Sequence, residues 1–212
     1  AIVARHGKDA VAGYLGNPMG FNSAASAWHF GFLDALGTGQ KYGVQSIDSN
    51  AKHVACDAVF GLETLALIPD IDATDFALLI GTNPAVSKFN WGGKVPNGWR
   101  RLKDRVKAGA QLVVLDPRRT ETARRFEHLA LRPDSDAWLL AGMLKVLADE
   151  GLTDATLLAQ NVSGWTDLAA ALSALSVEQA AARCGVEASA IADLARRFAA
   201  ARTAACYGRV GT

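Results

Sequence analysis

Ten residues, 111–120 with the sequence QLVVLDPRRT, constrain the fold of this chain most strongly. Residues 112–115 form an unbroken apolar run that is too short for an independent helix, and the run ends at an acid, a proline and two arginines. This pattern is typical of a buried parallel strand that leads into a polar loop. Because ligands of open α/β sheets bind beyond the carboxyl ends of the strands, we expect Asp116, Arg118, Arg119 and Thr120 to lie beside a ligand.

The side chains of this loop suit a ligand that has both hydroxyl and phosphate groups. Asp116 can accept hydrogen bonds from ribose hydroxyls or base amines, and the two arginines can bind phosphate oxygens in a bidentate manner. A strand-end salt bridge beside a surface arginine pair explains the same residues equally well. The loop alone leaves both interpretations open.

Composition narrows the class of partner. With 212 residues, of which 50% are hydrophobic and 20% charged, the chain can bury a large core in one domain or two. A net charge of +1 provides no field that would hold nucleic acid or an anionic membrane. No apolar stretch approaches the roughly 20 residues that span a bilayer. We therefore expect a small molecule or another protein as partner, with no nucleic acid and no membrane span.

The cysteines and the chain ends suggest the setting of the protein. Cys56, Cys184 and Cys206 are odd in number and far from one another, which argues against a disulfide framework and favours a reducing compartment such as the cytoplasm. No CxxC spacing is present for zinc or an iron–sulfur cluster. The chain starts without methionine and stops directly after a strand-like run, so we expect it to be a fragment of a longer protein.

Short apolar runs alternate with helical patterns along the chain, without internal repeats. Strands are predicted at residues 10–15, 42–47, 76–80, 112–115, 129–131 and 204–207. Helices are predicted at residues 22–36, 51–60, 100–108, 139–151, 154–160, 165–175, 177–183 and 188–200, with a short helix starting at 120–122. The alternation predicts an α/β fold with a doubly wound, mostly parallel sheet and helices on both faces.

Two further polar loops would share the carboxyl edge of this sheet. Gly81 to Pro84 follow the strand at 76–80, where the glycine permits close approach of a ligand and Asn83 supplies a donor and an acceptor. The segment RPDSD follows the strand at 129–131. Asp134 or Ser135 would cap the next helix, so either Asp134 or Asp136 stays available to a ligand. Neither GxGxxG between strand and helix nor GxxxxGK[ST] is present, which favours a different nucleotide-like ligand.

Three segments together resemble one enzyme family. PDIDATDFALLIGTNPAVS, VVLDPRRTETAR and RPDSDAWLLAGMLKVL resemble, in order and spacing, the large subunits of molybdopterin oxidoreductases related to dimethyl sulfoxide reductase and formate dehydrogenase. The resemblance implies a Rossmann-like domain that holds one of two molybdopterin guanine dinucleotides. It places this domain at residues 1–150, with 151–212 as a helical segment and closing strand of the same region.

The resemblance also implies which residues line the cofactor. Those of the first loop are Gly81, Thr82, Asn83 and Ser87. The loop facing the nucleotide contributes Asp116, Pro117, Arg118 and Thr120, and the guanine end Pro133, Ser135 and Asp136. Gly208, Arg209 and Gly211 resemble the start of a segment that runs under the pterin.

The chain departs from the family pattern at the position of the metal ligand. The position where many relatives have the ligand to molybdenum or tungsten is Val54, which cannot coordinate, and Cys56 lies roughly 200° further around the predicted helix. We therefore assign no metal ligand. Lys52 and His53 are candidates for substrate contact. A 4Fe–4S cluster would belong to an upstream region.

The functional expectation is a molybdenum or tungsten oxidoreductase that acts on a small molecule, with the remaining domains of the same enzyme and an electron-transfer subunit as partners. The alternative is a noncatalytic structural or nucleotide-binding domain that has lost the metal.

Overall fold

The structure is a computed structural model that describes residues 1–63, 68, 70–87 and 96–209. It divides into two compact units, Ala1–Ala66 and Leu67–Thr212. None of the helices in the described ranges is long and apolar enough to cross a membrane.

The first unit is small and mostly helical. Its two strands, β1 (Gly13–Leu15) and β2 (Lys41–Gly43), pair in parallel. Short 3-10 turns at Lys8–Ala10 and Asn17–Phe21 flank β1. The helices are α1 (Ile2–His6), α2 (Ser23–Leu36), α3 (Gln45–Asp48) and α4 (Asn50–Phe60).

Helix α2 begins and ends where its sequence predicts. The Asn22 side chain accepts a hydrogen bond from the Ala25 N–H at 2.9 Å, which satisfies one of the unpaired donors of the first turn. Gly37 ends the helix in the left-handed conformation at φ 68°.

The second unit contains a four-stranded parallel sheet flanked by helices. Its strands are β3 (Phe76–Ile80), β4 (Gln111–Leu115), β5 (Glu127–Leu129) and β6 (Ala204–Gly208). The helices before β5 are α5 (Pro84–Ser87) and α6 (Gly98–Lys107). Those after it are α7 (Asp136–Asp149), α8 (Ala155–Asn161), α9 (Trp165–Ser173), α10 (Val177–Cys184) and α11 (Ala188–Ala200).

The strand order across this sheet is β5-β4-β3-β6, and every pair is parallel. In chain order this is the 3-2-1-4 arrangement of a doubly wound fold, which confirms the predicted architecture. The order reverses between β3 and β6. Ligands of such sheets bind outside the carboxyl ends of the strands at such a reversal.

The core lies on both faces of the sheet because successive side chains of β3 point to opposite faces. All five β3 residues are buried. Phe76, Leu78 and Ile80 pack into one cluster with residues of α7, α10 and α11, whereas Ala77 and Leu79 pack into a second cluster with Leu102 of α6. Burial on both faces explains why this strand has an unbroken apolar sequence rather than an alternating one.

The predicted boundaries of three strands were wrong. The strand predicted at residues 129–131 lies two residues earlier, where it forms β5 (Glu127–Leu129). Its polar residues are held by tertiary contacts: Arg197 binds Glu127, and the His128 ring contacts the Asp116 carbonyl of the β4 loop. Leu131 is buried beyond the strand. The strand predicted at 42–47 ends at Gly43 and gives way to α3, and the one predicted at 10–15 begins only at Gly13.

The segment predicted to start a short helix at 120–122 forms consecutive turns at 121–125 instead. The Thr122 N–H and hydroxyl both bond to the side chain of Asn83, on the loop after β3. This tertiary contact competes with continued helical hydrogen bonding.

Candidate functional site

The loops after β3, β4 and β5 all leave the same edge of the sheet, as parallel strands require. Two backbone hydrogen bonds join their starting points: the Gly81 N–H donates to the Leu115 carbonyl at 2.9 Å, and the Asp116 N–H donates to the Leu129 carbonyl at 3.3 Å. On the other side of β3, the Arg209 N–H donates to the Ile80 carbonyl at 3.2 Å. The structure therefore brings the three predicted loops and the end of β6 to one edge.

The β3 loop begins with a residue that lacks a side chain and continues with a buried hydroxyl. Gly81 adopts φ 55°, a left-handed conformation that favours glycine. Thr82 is 3% exposed, and its Oγ1 has no hydrogen-bond partner among the described residues. An unpaired buried hydroxyl costs free energy, so a ligand group that bonded to it would offset this cost. Ser87 is exposed at the end of α5.

Three side chains join the β3 loop to the β4 loop, and we call Asn83, Glu121 and Thr122 the loop clamp. The Asn83 Oδ1 accepts from the Thr122 hydroxyl at 2.7 Å and from the Thr122 N–H at 3.2 Å. The Asn83 Nδ2 donates to Glu121 Oε2 at 2.6 Å. The Thr122 Oγ1 also accepts from the Ala85 N–H at 3.1 Å. The pKa of Glu121 is lowered, chiefly by its own backbone N–H and then by Asn83.

The β4 loop presents Asp116 next to exposed arginines. Asp116 is half-buried, and its Oδ1 accepts from the Arg118 N–H at 2.8 Å. The His128 Nε2 lies 2.8 Å from the Asp116 carbonyl oxygen. Pro117, Arg118 and Arg119 are exposed. The Arg118 guanidinium lies 3.7 Å from the Glu121 carboxylate, a distance at which an exposed ion pair contributes little.

Thr120, also predicted to face the cofactor, is only 2% exposed. Its hydroxyl accepts from the Ala123 N–H at 3.1 Å, within the turns that follow the loop.

The β5 loop is held by the carboxyl end of α10. The Arg132 guanidinium donates to the Ala182 carbonyl at 2.6 Å, and the Arg132 N–H donates to the Cys184 carbonyl at 2.8 Å. Cations at this end of a helix also interact favourably with its dipole. Pro133 and Asp134 are exposed, and Asp134 adopts φ 59°, which aspartate tolerates better than most residues.

The predicted side-chain cap of α7 was wrong. Ser135 occupies the N-cap position and is 4% exposed, but its hydroxyl donates to the Arg132 carbonyl at 2.5 Å and accepts no bond from the helix. Asp136 is the first residue of α7 and is half-buried.

Burial raises the pKa of Asp136, and the Asp116 and Asp134 carboxylates raise it further, although its own backbone N–H acts in the opposite direction. The hydrogen bond from the Asp116 N–H to the Leu129 carbonyl, at the end of β5, places the acids of the β4 and β5 loops at the same sheet edge. A ligand that offered N–H or O–H donors to Asp136 would stabilise its charged form.

Gly208 is the exposed last residue of β6, Arg209 is half-buried beyond it, and Gly211 lies outside the described residues.

The first unit contains Val54, which the family resemblance aligns with the metal ligand of many relatives. Val54 is 61% exposed on α4, whereas Cys56 is 5% exposed and buried, as expected for residues about 200° from each other on a helix. Lys52 and His53 are half-buried. Within the described ranges, no group of three His, Cys, Asp or Glu residues could hold a metal ion.

Sequence reasoning missed Glu121, Thr122 and His128. A hydroxyl residue shortly after a strand was visible in the sequence, but its partner Asn83 is 39 residues away. Only the parallel pairing of β3 and β4 brings them together.

Comparison with known proteins identifies the family. Residues 2–199 match the sequence model described as Molybdopterin oxidoreductase. The chain belongs to the molybdopterin oxidoreductase family. Members of this family use a molybdopterin-type cofactor with a metal, and they are oxidoreductases.

Curated relatives agree with this assignment. The chain is 34% identical over 145 residues to formate dehydrogenase H of Escherichia coli K12. The match covers 68% of this chain and 19% of that protein. It is 30% identical over 215 residues to a nitrate reductase of Klebsiella oxytoca, which covers 94% of this chain and 22% of that protein. The chain thus spans about a fifth of the length of these relatives.

A solved structure shares the fold. The structure of acetylene hydratase from Pelobacter acetylenicus superimposes with a TM-score of 0.75 and 23% sequence identity. The match covers 97% of this chain and 27% of the acetylene hydratase chain.

Proposed function

We propose that this chain forms part of a molybdenum or tungsten oxidoreductase and binds the guanine nucleotide end of a molybdopterin guanine dinucleotide. Membership of the molybdopterin oxidoreductase family supports a cofactor of this type. The observation on which the guanine assignment depends is the half-buried Asp136, whose pKa is raised by burial and by Asp116 at the same sheet edge. Such a carboxylate gains stability when it accepts from two adjacent N–H donors, and guanine presents its ring N–H and exocyclic amine in that arrangement.

The residues at the sheet edge fit the other parts of a guanosine diphosphate group. Asp116 can accept from ribose hydroxyls, and the exposed Arg118 can bind phosphate oxygens. Gly81 allows phosphate to approach the backbone closely, and the neighbouring Thr82 has a hydroxyl without a hydrogen-bond partner among the described residues. Pro133 and Ser135 shape the loop around the base, and Ser87, Pro117, Thr120 and Gly208 complete the proposed lining.

When bound, the metal and pterin supply the two-electron chemistry, and the chain binds and orients the nucleotide. We propose a small-molecule substrate, with the remaining domains of the same enzyme completing the site. The proposal also includes electron exchange with a further subunit and a 4Fe–4S cluster in an upstream region. Three further points stay predictions: that residues 1–150 are the cofactor-binding domain, that residues 151–212 continue it, and that the protein is cytoplasmic.

Equilibrium binding of GDP and of ADP to the full-length apo-protein tests the proposal. We expect GDP to bind at least tenfold more tightly, because adenine presents no pair of adjacent donors to a carboxylate. Equal affinity for the two nucleotides would contradict the guanine assignment, and absence of binding would contradict the nucleotide site.

A second candidate is a noncatalytic domain that keeps the fold without the metal. The exposed isopropyl group of Val54, which cannot coordinate a metal and which the family resemblance aligns with the metal ligand of relatives, favours it. Elemental analysis of the full-length protein separates the two candidates, because only the enzyme retains molybdenum or tungsten.

A further inference from the structure

The loop clamp of Asn83, Glu121 and Thr122 connects two loops that approach one ligand in the proposed function. The amide oxygen of Asn83 and the hydroxyl of Thr122 each make two hydrogen bonds. The Asn83 carbonyl oxygen accepts two bonds from Thr122, which engages both of its lone pairs. The Thr122 hydroxyl donates to Asn83 and accepts from the Ala85 N–H. Asn83 therefore directs its amide oxygen at the neighbouring loop.

Burial makes these bonds sensitive to substitution. Thr122 is 0% exposed, so its hydroxyl makes its hydrogen bonds away from water. Removing the hydroxyl would leave the half-buried amide N–H of Ala85 and an acceptor on Asn83 less satisfied.

The clamp adds a second point of attachment between the loops. The first is the backbone bond from the Gly81 N–H to the Leu115 carbonyl, at the strand ends. The second lies four residues further along the chain, in α5, where the Ala85 N–H donates to the Thr122 hydroxyl. Attachment at two places along the chain restricts the relative movement of the two loops more than attachment at one place does.

We infer that Asn83 and Thr122 are positioning residues that hold the β3 and β4 loops at one spacing, so that Gly81 and Thr82 on one loop and Asp116 and Arg118 on the other meet the nucleotide together. This inference rests on the proposed function for the identity of the ligand. Neither residue needs to touch the ligand in order to set its affinity. Loss of the clamp lowers the fraction of protein with both loops in the binding arrangement, and the apparent dissociation constant rises by the same factor.

The test uses Thr122→Val in the full-length apo-protein, with GDP as the probe in isothermal titration calorimetry. Valine keeps the shape of threonine and removes the hydroxyl. We expect GDP affinity to fall by about tenfold or more, because the substitution removes both hydrogen bonds of the hydroxyl, the one it donates and the one it accepts. The conservative variant Thr122→Ser keeps the hydroxyl and should return the affinity to within about threefold of the wild type.

Thr38→Val is the matched control. Thr38 is 3% exposed in the first unit, and its hydroxyl also donates to a carbonyl (Val11, 2.8 Å) and accepts from an amide (Gln40, 3.1 Å). It should lower the melting temperature as much as Thr122→Val and leave GDP affinity unchanged. Equal GDP affinity in Thr122→Val and wild type would overturn the inference, as would an equal loss in Thr38→Val.

Hydrogen exchange of wild-type amides tests the clamp without any variant or ligand. We expect the Ala85 N–H to exchange as slowly as the Gly81 N–H, because both are bonded to the β4 side. Fast exchange at Ala85 with slow exchange at Gly81 would overturn the clamp. If the wild type binds no GDP but Ala85 is protected, the proposed ligand is wrong while the clamp stands.

Discussion

Replacing Asp136 with asparagine should weaken nucleotide binding without weakening the fold. Asparagine keeps one carbonyl oxygen but turns an NH2 group toward the second guanine donor, so at least one charged hydrogen bond is lost. Hydrogen bonds to charged groups contribute about 1.5–3 kcal/mol each. GDP affinity of the full-length apo-protein should therefore fall by roughly 10- to 150-fold.

The stability of the apo-protein should respond differently. The folded-state pKa of Asp136 is raised, mainly by burial. Between the unfolded and the folded pKa the folded protein binds more protons, so this side chain lowers stability as pH rises through that window, and the cost persists at neutral pH. Asparagine removes the cost. It also removes a first-turn acid that complements the helix dipole, worth about 0.3–1 kcal/mol, so we expect the apo-protein to change by less than about 1 kcal/mol.

Asp134→Asn is the matched control for charge. It removes a carboxylate that also raises the pKa of Asp136, at a left-handed position that asparagine adopts readily. GDP affinity should not fall in this variant. Titration calorimetry measures the affinities, and urea denaturation of the apo-proteins measures stability. Unchanged GDP affinity in Asp136→Asn, or an apo-protein that loses as much stability as the bound form, would show that Asp136 serves only the start of α7.

Three further outcomes are expected. Cys56→Ser should leave the metal content of the full-length protein unchanged by elemental analysis, because Cys56 is buried on α4; loss of metal would identify it as a ligand. Gly142→Ala should destabilise the protein by about 1–3 kcal/mol in urea denaturation, since a Cβ at Gly142 would lie 2.9 Å from that of Ala180; an unchanged midpoint would mean that α7 and α10 separate easily. The 212 residues expressed alone should bind 1-anilinonaphthalene-8-sulfonate and show no redox turnover, because Trp28 and Phe32 are 78% and 58% exposed; turnover with any donor and acceptor pair would refute this.

The sequence predicted best those elements whose apolar pattern coincides with burial. β3 and α11 were predicted to the residue, since all five residues of β3 are buried and α11 turns Ile191, Leu194 and Ala195 to the core. β5 was misplaced because its polar residue Glu127 is held by Arg197 from a distant helix. A local pattern does not contain that partner.

The same distinction applies to the candidate site. A strand end is a local signal, so the sequence placed Asp116 and Asp136 at the carboxyl edge, and their roles as ligand contacts stay predictions. The loop clamp depends on two segments 39 residues from each other, and the sequence reasoning instead assigned Thr122 to a helix. Asp134 or Ser135 was expected to cap α7, but the Ser135 hydroxyl at the N-cap position donates to the Arg132 carbonyl and accepts no bond from the helix.

The most direct test of the central claim is acid release of the nucleotide from the purified full-length protein, followed by chromatography and a parallel assay of molybdenum and tungsten. We expect a guanine nucleotide, present in proportion to the metal, and a smaller amount of it in the Asp136→Asn variant. Release of an adenine or cytosine nucleotide, or of none from a protein that retains its metal, would contradict the binding of a molybdopterin guanine dinucleotide.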